Sequence, residues 1–225
     1  GASTACRPGR EALFAHLPSR GQGAMPFRPG YLYVRPHKSH RAAMHGLPLE
    51  TASLRLRHLI PDDAAPMMAL NAEPTTSQWL PSHVYSGLAE ARSRMDYLIS
   101  CYSNPGHPLQ GPYVLAVEHK PTCSLLGHVG FSEFNGEVEV SYAIAEASRG
   151  RGFGTEALVR ACSWAAAAFA LRRLLAITES ANVSSRRLLD RAHFAQEHES
   201  LMRFQGKEQL VSRYSWHPQG QDGGA

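Results

Sequence analysis

The chain has 225 residues, 43% of them hydrophobic, which is enough to bury a sizeable core within one domain. Its longest apolar run, around "AAAAFALRRLLAI", is interrupted by Arg172 and Arg173 and falls short of the ~20 residues that span a bilayer, so a soluble protein with no membrane partner is expected. The formal charge of +4 sits at the start, where residues 1–48 hold seven basic side chains and one acid, and no basic stripe with interleaved aromatics points to nucleic acid.

Residues 1–47 are rich in Gly, Pro, Ser, His and Arg and lack sustained periodicity. They read as a basic leader, disordered or loosely packed. A targeting segment, a regulatory tail and a translated upstream stretch with Met25 or Met44 as the start all fit that composition. His37, His40 and His45 have no Cys or carboxylate at ligand spacing, so they read as solvated and no metal is expected. Cys6, Cys101, Cys123 and Cys162 lie far apart with no C-x-x-C pair, which signals neither a zinc ribbon nor a disulfide framework and fits a reducing cytoplasm.

Regular patterning begins at Leu49. "SLRLRHL" alternates Leu54 and Leu56 with Arg55 and Arg57, the period of a half-buried strand. "PDDAAPMMALN" opens a helix with acids and a first-turn Pro66. "SGLAEARSRMDYLIS" sets Leu88, Ala91, Met95, Leu98 and Ile99 on one helical face, with Ser86 as the candidate cap. "GPYVLAVEH", "SLLGHVGFSEF" and "GEVEVSYAIAE" follow as strands, the last two joined by Asn135-Gly136, the signature of a type I′ hairpin. "TEALVRACSWAAAAFAL" is a long helix burying Leu158, Ala161, Ala165 and Phe169; "RLLAITES" is a strand, "NVSSRRLLDRAHF" a helix and "EQLVSRYSW" a closing strand. The order predicts an α+β (mixed α/β) domain over residues 48–217, with one continuous, mostly antiparallel sheet flanked by helices and a flexible Gly-rich tail at 218–225.

Between the hairpin and the long helix lies "SRGRGFGTEAL". Its alternate glycines, Gly150, Gly152 and Gly154, let the backbone approach a ligand, and the helix start adds positive potential suited to a pyrophosphate. A Walker loop needs a Lys that is missing here. A dinucleotide fingerprint fails at Thr155, and the antiparallel hairpin that feeds the loop is unlike the buried parallel strand that opens a nicotinamide fold.

Arg149-x-x-Gly152-x-Gly154 between a β-meander and a long helix, followed by a strand and then by Asn182 and Ser185, resembles the GNAT superfamily of acetyl-CoA-dependent N-acetyltransferases. The resemblance covers residues 49–216. "LETASLRLR", "GEVEVSYAIAEASRGRGFGTEAL" and "NVSSRRLLDRAHF" look like its RimJ/RimL branch, whose members acetylate protein N-terminal amines or related amines. Ala52-Ser53 stands where that branch usually has Glu-Arg, His193-Phe194 where it has Gly-Phe, and Leu189 where many relatives carry a proton-donating tyrosine.

The resemblance implies direct acetyl transfer from acetyl-CoA to a primary amine, on a protein N-terminus or a small molecule, by a monomer or homodimer. A catalytically weak CoA-binding sensor or interaction module is the alternative that the missing tyrosine supports. Backbone amides of Arg151, Gly152, Phe153, Gly154 and Thr155 would hold the pyrophosphate with Gly150, flanked by Arg149 and Arg151. The strand end at Tyr142, Ala143 and Ile144 would bond the pantetheine, aided by Asn182. Arg186 and Arg187 either reach the adenosine phosphate or form a solvated helix face. Glu139 is the candidate base or an exposed strand carboxylate, with Glu137 the weaker choice; Ser185 is the candidate donor to the thiolate or only a cap or packing residue. Acceptor choice would lie in residues 71–103 and 197–209, where Trp79 and Tyr85 line a groove or belong to the core.

Overall fold

The computed structural model describes residues 46–103 and 106–218, and the readings of the leader, with its histidines and alternative starts, and of the tail lie outside the described residues. The alternating leucines form β2 (Leu54–His58), flanked by the short β1 (Leu49–Glu50); Leu54 and Leu56 are fully buried. Next come α1 (Ala64–Ala72), α2 (Pro74–Trp79) and α3 (Leu88–Ser100). The meander is β3 (Tyr113–His119), β4 (Ser124–Phe134) and β5 (Glu137–Ile144). It is followed by α4 (Phe153–Ala168), β6 (Leu174–Glu179), α5 (Val183–Arg191), β7 (Ala195–Phe204) and β8 (Lys207–Trp216).

The eight strands make one sheet in the order β1-β2-β3-β4-β5-β6-β8-β7, and every neighbouring pair is antiparallel except β5 and β6. The expected mostly antiparallel sheet is therefore observed. Asn135 (φ 52°) and Gly136 (φ 83°) both adopt the left-handed backbone that a type I′ turn requires. That turn pairs Phe134 with Glu137 and sets the register down the ladder. Ser141 and Tyr142, adjacent on β5, point to opposite faces. Ser141 shares a cavity with Met67 and Leu98 of α1 and α3, while Tyr142 reaches Ser185 on α5. One helical layer thus covers each face.

Leu158, Ala161, Ala165 and Phe169 are buried as the helical spacing predicts. Ser86 is not the cap of α3: the helix starts after Gly87, and Ser86 instead donates its N–H and hydroxyl to Glu90, each at 2.6 Å. The acid reaching back ties down the entry in place of a capping hydroxyl. His193 does take the left-handed position (φ 62°) that ends α5. At the far end of the sheet an ion cluster joins β2, β3 and the chain leading into α1. Arg57 grips Asp63 with both terminal nitrogens (2.8 and 2.9 Å) and Glu118 with Nε (2.8 Å).

Candidate active site

The glycine loop ends in a helix start built for an anion. Gly150 (φ 74°) and Gly152 (φ 83°) hold left-handed backbone, and a Cβ at either would meet no protein atom within 4 Å. Gly152 is the N-cap of α4, whose first internal bond runs from the Glu156 N–H to the Gly152 carbonyl (3.0 Å). The N–H groups of Phe153, Gly154 and Thr155 are therefore without intrahelical acceptors and lie at the positive end of a helix of 16 residues. At Gly154 a Cβ would sit 2.6 Å from Leu188 Cδ1, so the missing side chain is what lets α5 close against the loop.

The two arginines of the loop part company. Arg151 is exposed and lies 4.7 Å over the Phe153 ring. Arg149 turns away towards α2: Nε donates to the Ile144 carbonyl (2.8 Å), and the terminal nitrogens meet Thr75, Thr76 (2.9 Å) and Glu73 (3.5 Å). Its guanidinium is engaged in clamping α2 to the end of β5, and the residue also lines the cleft beside the glycine loop.

Beside the loop the sheet opens. β5 and β6 run parallel and are in register only at Glu139 and Leu175. From Val140 to Ile144, β5 keeps its ladder with β4 but pairs with no strand on its other edge among the described residues. That edge offers backbone donors and acceptors to an extended ligand carrying amides. Glu139 stands at the point of divergence, half-buried, with burial pushing its carboxyl up to about 7 against a hydrogen bond from the Ile177 backbone. A carboxyl that titrates near neutrality is suited to taking a proton at physiological pH. Glu137 is held by Arg213 (2.6 Å) and Arg173 (3.1 Å) in an ion network, which leaves Glu139 as the carboxylate of this strand that faces the cleft.

Across the opening, Asn182 caps α5 by accepting from the Ser185 N–H (3.0 Å), so the cap is Asn182 and the Ser185 side chain is left for another partner. That partner is Tyr142, whose hydroxyl lies 2.9 Å from Ser185 Oγ. Burial raises the Tyr142 phenol well above its ordinary value, so it stays protonated. Leu189 is buried and supplies no proton. Arg186 is tied to Tyr214 (3.3 Å), the Ser180 carbonyl (3.2 Å) and Glu199 (3.6 Å), whereas Arg187 is exposed and lines the cleft.

These groups surround a cleft of 590 Å³ that runs from the glycine loop and Asn182, past Tyr142, Ala143, Ile144 and Ser185, to Glu139. Its far end is closed by Trp79, Leu80 and His83 from the segment after α1 and by Phe204 and Gln205 from the β7–β8 turn. Gln205 Nε2 donates to the Trp79 carbonyl (2.8 Å), joining the two sides. Both stretches singled out for acceptor choice thus reach the cleft. Ser132, opposite Glu139 in the ladder, also lines it; counting back from the Asn135-Gly136 turn would have found it. The chain alone marked neither Gln205 nor Phe204.

A family model described as "Acetyltransferase (GNAT) domain" matches residues 53–195, more than half of the chain. Among curated proteins none matches. The fold is similar to that of the ribosomal-protein-S5-alanine acetyltransferase from Vibrio fischeri, at 18% identity and a TM-score of 0.64 over 78% of this chain and 98% of that one. It is similar also to the Salmonella typhimurium acetyl transferase that modifies the N-terminal serine of ribosomal protein L7/L12, at 18% identity and 0.63 over 74% and 96%. RimL, the ribosomal L7/L12 alpha-N-protein acetyltransferase solved with coenzyme A, matches at 18% identity and 0.64 over 75% and 96%.

Proposed function

Because the chain belongs to the GNAT family of acetyltransferases, we propose that it moves the acetyl group of acetyl-CoA directly to a primary amine, the α-amine of a protein N-terminus before a small-molecule amine. The observation that carries this reading is the parting of β5 and β6 beside the free amides of α4, with Glu139 and Ser185 on the two sides of the opening. The preference for an N-terminus is supported by the two L7/L12 enzymes named above, one an alpha-N-protein acetyltransferase and the other a modifier of an N-terminal serine.

Acetyl-CoA fits what the residues offer: amide donors at the loop for a pyrophosphate, an unpaired strand edge at 140–144 for the pantetheine amides, and Asn182 beside it. The amine enters from the end closed by Trp79 and Gln205. Glu139, directly or through a water, takes the proton from nitrogen as the amine attacks the thioester carbonyl. The C–S bond then breaks, Ser185 gives its proton to sulfur, and exchange with solvent returns a proton to Ser185 Oγ and removes one from Glu139, which restores both groups. The Tyr142–Ser185 pair, 2.9 Å apart, allows either hydroxyl to donate, and this step uses the arrangement in which the protonated Tyr142 donates to Ser185 Oγ and the serine proton is left for sulfur. Holding both reactants in line supplies most of the rate.

The experiment is calorimetric titration with acetyl-CoA, coupled to thiol release with a panel of peptides and amines. Gly152→Asp puts a carboxylate where the phosphates would lie, at a Cβ that touches nothing else but on left-handed backbone (φ 83°) that strains a side chain; it should abolish binding, with thermal unfolding of the variant separating loss of the site from loss of the fold. Unchanged affinity in this variant refutes the cofactor assignment. Tight binding without CoA release from any amine would instead make the chain a CoA-binding module, the reading that Leu189 favours.

A further inference from the structure

A second cavity, of 290 Å³, adjoins the active cleft, and Ser82, His83, Ser132 and Ser141 line both. Its lining includes two buried polar side chains that the protein leaves unsatisfied. His128 is 3% exposed and Asn71 1%, and neither ring nitrogen of the one nor either amide atom of the other has a hydrogen-bond partner among the described residues. The Tyr85 phenol neighbours Asn71 without meeting hydrogen-bond geometry. Unpaired groups this deep oppose folding, and native chains keep them rarely, chiefly where a ligand uses them.

The sheet connects these groups to the chemistry. Ser132 pairs with Glu139, Gly130 with Ser141 and His128 with Ala143. Ser132, Gly130 and His128 therefore follow one another along one face of β4, with His128 about 13 Å of strand from the row of Glu139. Above Gly130 the Ser141 hydroxyl and Val114 pack in, 3.2 and 3.3 Å from where a Cβ would stand, and Ser141 lines both cavities. The His83 ring lines both cavities and stands 5.8 Å from that of His128.

The polarity of the pocket selects its occupant. Burial, with His83 adding to it, pushes the His128 imidazole down to about 3, so the ring is neutral and offers one donor and one acceptor. The Asn71 amide offers the same pair. Among the described residues no carboxylate lines this cavity, and its one charged side chain, Arg94, is exposed. A carboxylate, which only accepts, would leave the acceptor nitrogen and the amide oxygen unmet. An ammonium would leave the donors unmet and face Arg94.

We propose that this cavity is a subsite for the acceptor, in which an uncharged hydroxyl or primary carboxamide on the molecule bearing the amine binds between His128 and Asn71. The inference rests on the amine-acetylation reading above. It makes the two residues determinants of acceptor specificity, since a site built around hydrogen bonds rejects the analogue that lacks them.

The test uses the full chain loaded with CoA and matched amines: ω-amino alcohols and ω-amino amides against alkylamines of the same shape, with ω-amino carboxylates as a charged arm. Calorimetry on the unmodified protein should show at least one polar member binding about tenfold or more tightly than its apolar isostere. In His128→Leu and in Asn71→Leu the preference should fall to within about twofold. Each substitution removes an orphaned polar group, so the thermal midpoint should not drop, and either variant alone suffices if the other fails to fold. Equal binding within every pair, no binding by any amine, a preference for the carboxylates, or a preference that survives both substitutions would overturn the proposal. CoA release is followed with the same amines: an intact preference without turnover would refute acetyl transfer and leave the subsite standing.

Discussion

The hydroxyl of Tyr142 on β5 and that of Ser185 on α5 lie 2.9 Å apart across 43 residues of sequence, bridging the strand edge and the helix that form the two walls of the cleft. If Ser185 is the proton donor to sulfur, Ser185→Ala should lower kcat about 100-fold with a smaller change in KM for acetyl-CoA. Tyr142→Phe should lower kcat about tenfold, the effect of one lost hydrogen bond on the donor. Steady-state kinetics at saturating amine would read both. Unaltered kcat in Ser185→Ala would remove the serine from the chemistry.

The Glu139 carboxyl, raised on folding from 4.5 to about 7 by burial, ties activity and stability to pH in opposite directions. Activity should climb as pH rises through about 7 and the base ionises; Glu139→Gln should lose that limb and about 100-fold in kcat/KM. For stability, the folded chain keeps a proton that the unfolded chain has released between 4.5 and about 7, so stability falls as pH rises through this window. Glu139→Gln should accordingly unfold at a higher temperature than the unmodified protein above about pH 7, and at the same temperature below 4.5. Thermal unfolding across pH checks the sign.

Gly154 controls how closely α5 approaches the loop. In Gly154→Val the added Cβ would lie 2.6 Å from Leu188 Cδ1. Either the Leu188 side chain turns aside or the helix carrying it with Asn182 and Ser185 shifts, with an overpacking cost of about 1–3 kcal/mol. A weakening of acetyl-CoA binding of about tenfold or more should accompany it, measurable by calorimetry and denaturant unfolding.

Arg57→Met tests the far end of the sheet. The substitution leaves Asp63, 4% exposed, without its cation, while Glu118 keeps Arg55 at 3.2 Å. Stability should fall by about 3–5 kcal/mol, the range for one partner removed from a buried ion pair. Because the cluster is remote from the cleft, kcat of the remaining folded protein should be unchanged.

Local signals carried much of the fold. Alternating leucines gave β2, the Asn135-Gly136 turn gave the β4–β5 register and with it the position of Glu139, and helical spacing gave the buried face of α4. β7 escaped because residues 195–199 are exposed in succession on an edge strand, so no alternation survives for sequence to show. Its turn is Gln205-Gly206, which takes the same left-handed backbone as Asn-Gly from a weaker signature. The divergence of β5 and β6 depends on register between strands separated by a whole helix, and local patterning has no access to it. The clamp made by Arg149 was illegible for a similar reason: its partners, Glu73 and Thr76, lie more than 70 residues earlier in the chain. His128 gave no sign of its missing partners, since only the assembled layers show that nothing reaches it.

If the opening between β5 and β6 holds acetyl-CoA for attack by an amine, a single turnover reveals it: enzyme in excess is mixed with acetyl-CoA and a peptide bearing a free α-amine, then quenched, with product read by mass spectrometry and thiol by titration. One acetyl group should appear on the α-amine for each CoA thiol released, with both signals lost together in Glu139→Gln on the same timescale. Acetyl-CoA recovered intact from the unmodified protein, or CoA released with no acetyl on any amine, would rule the transfer out.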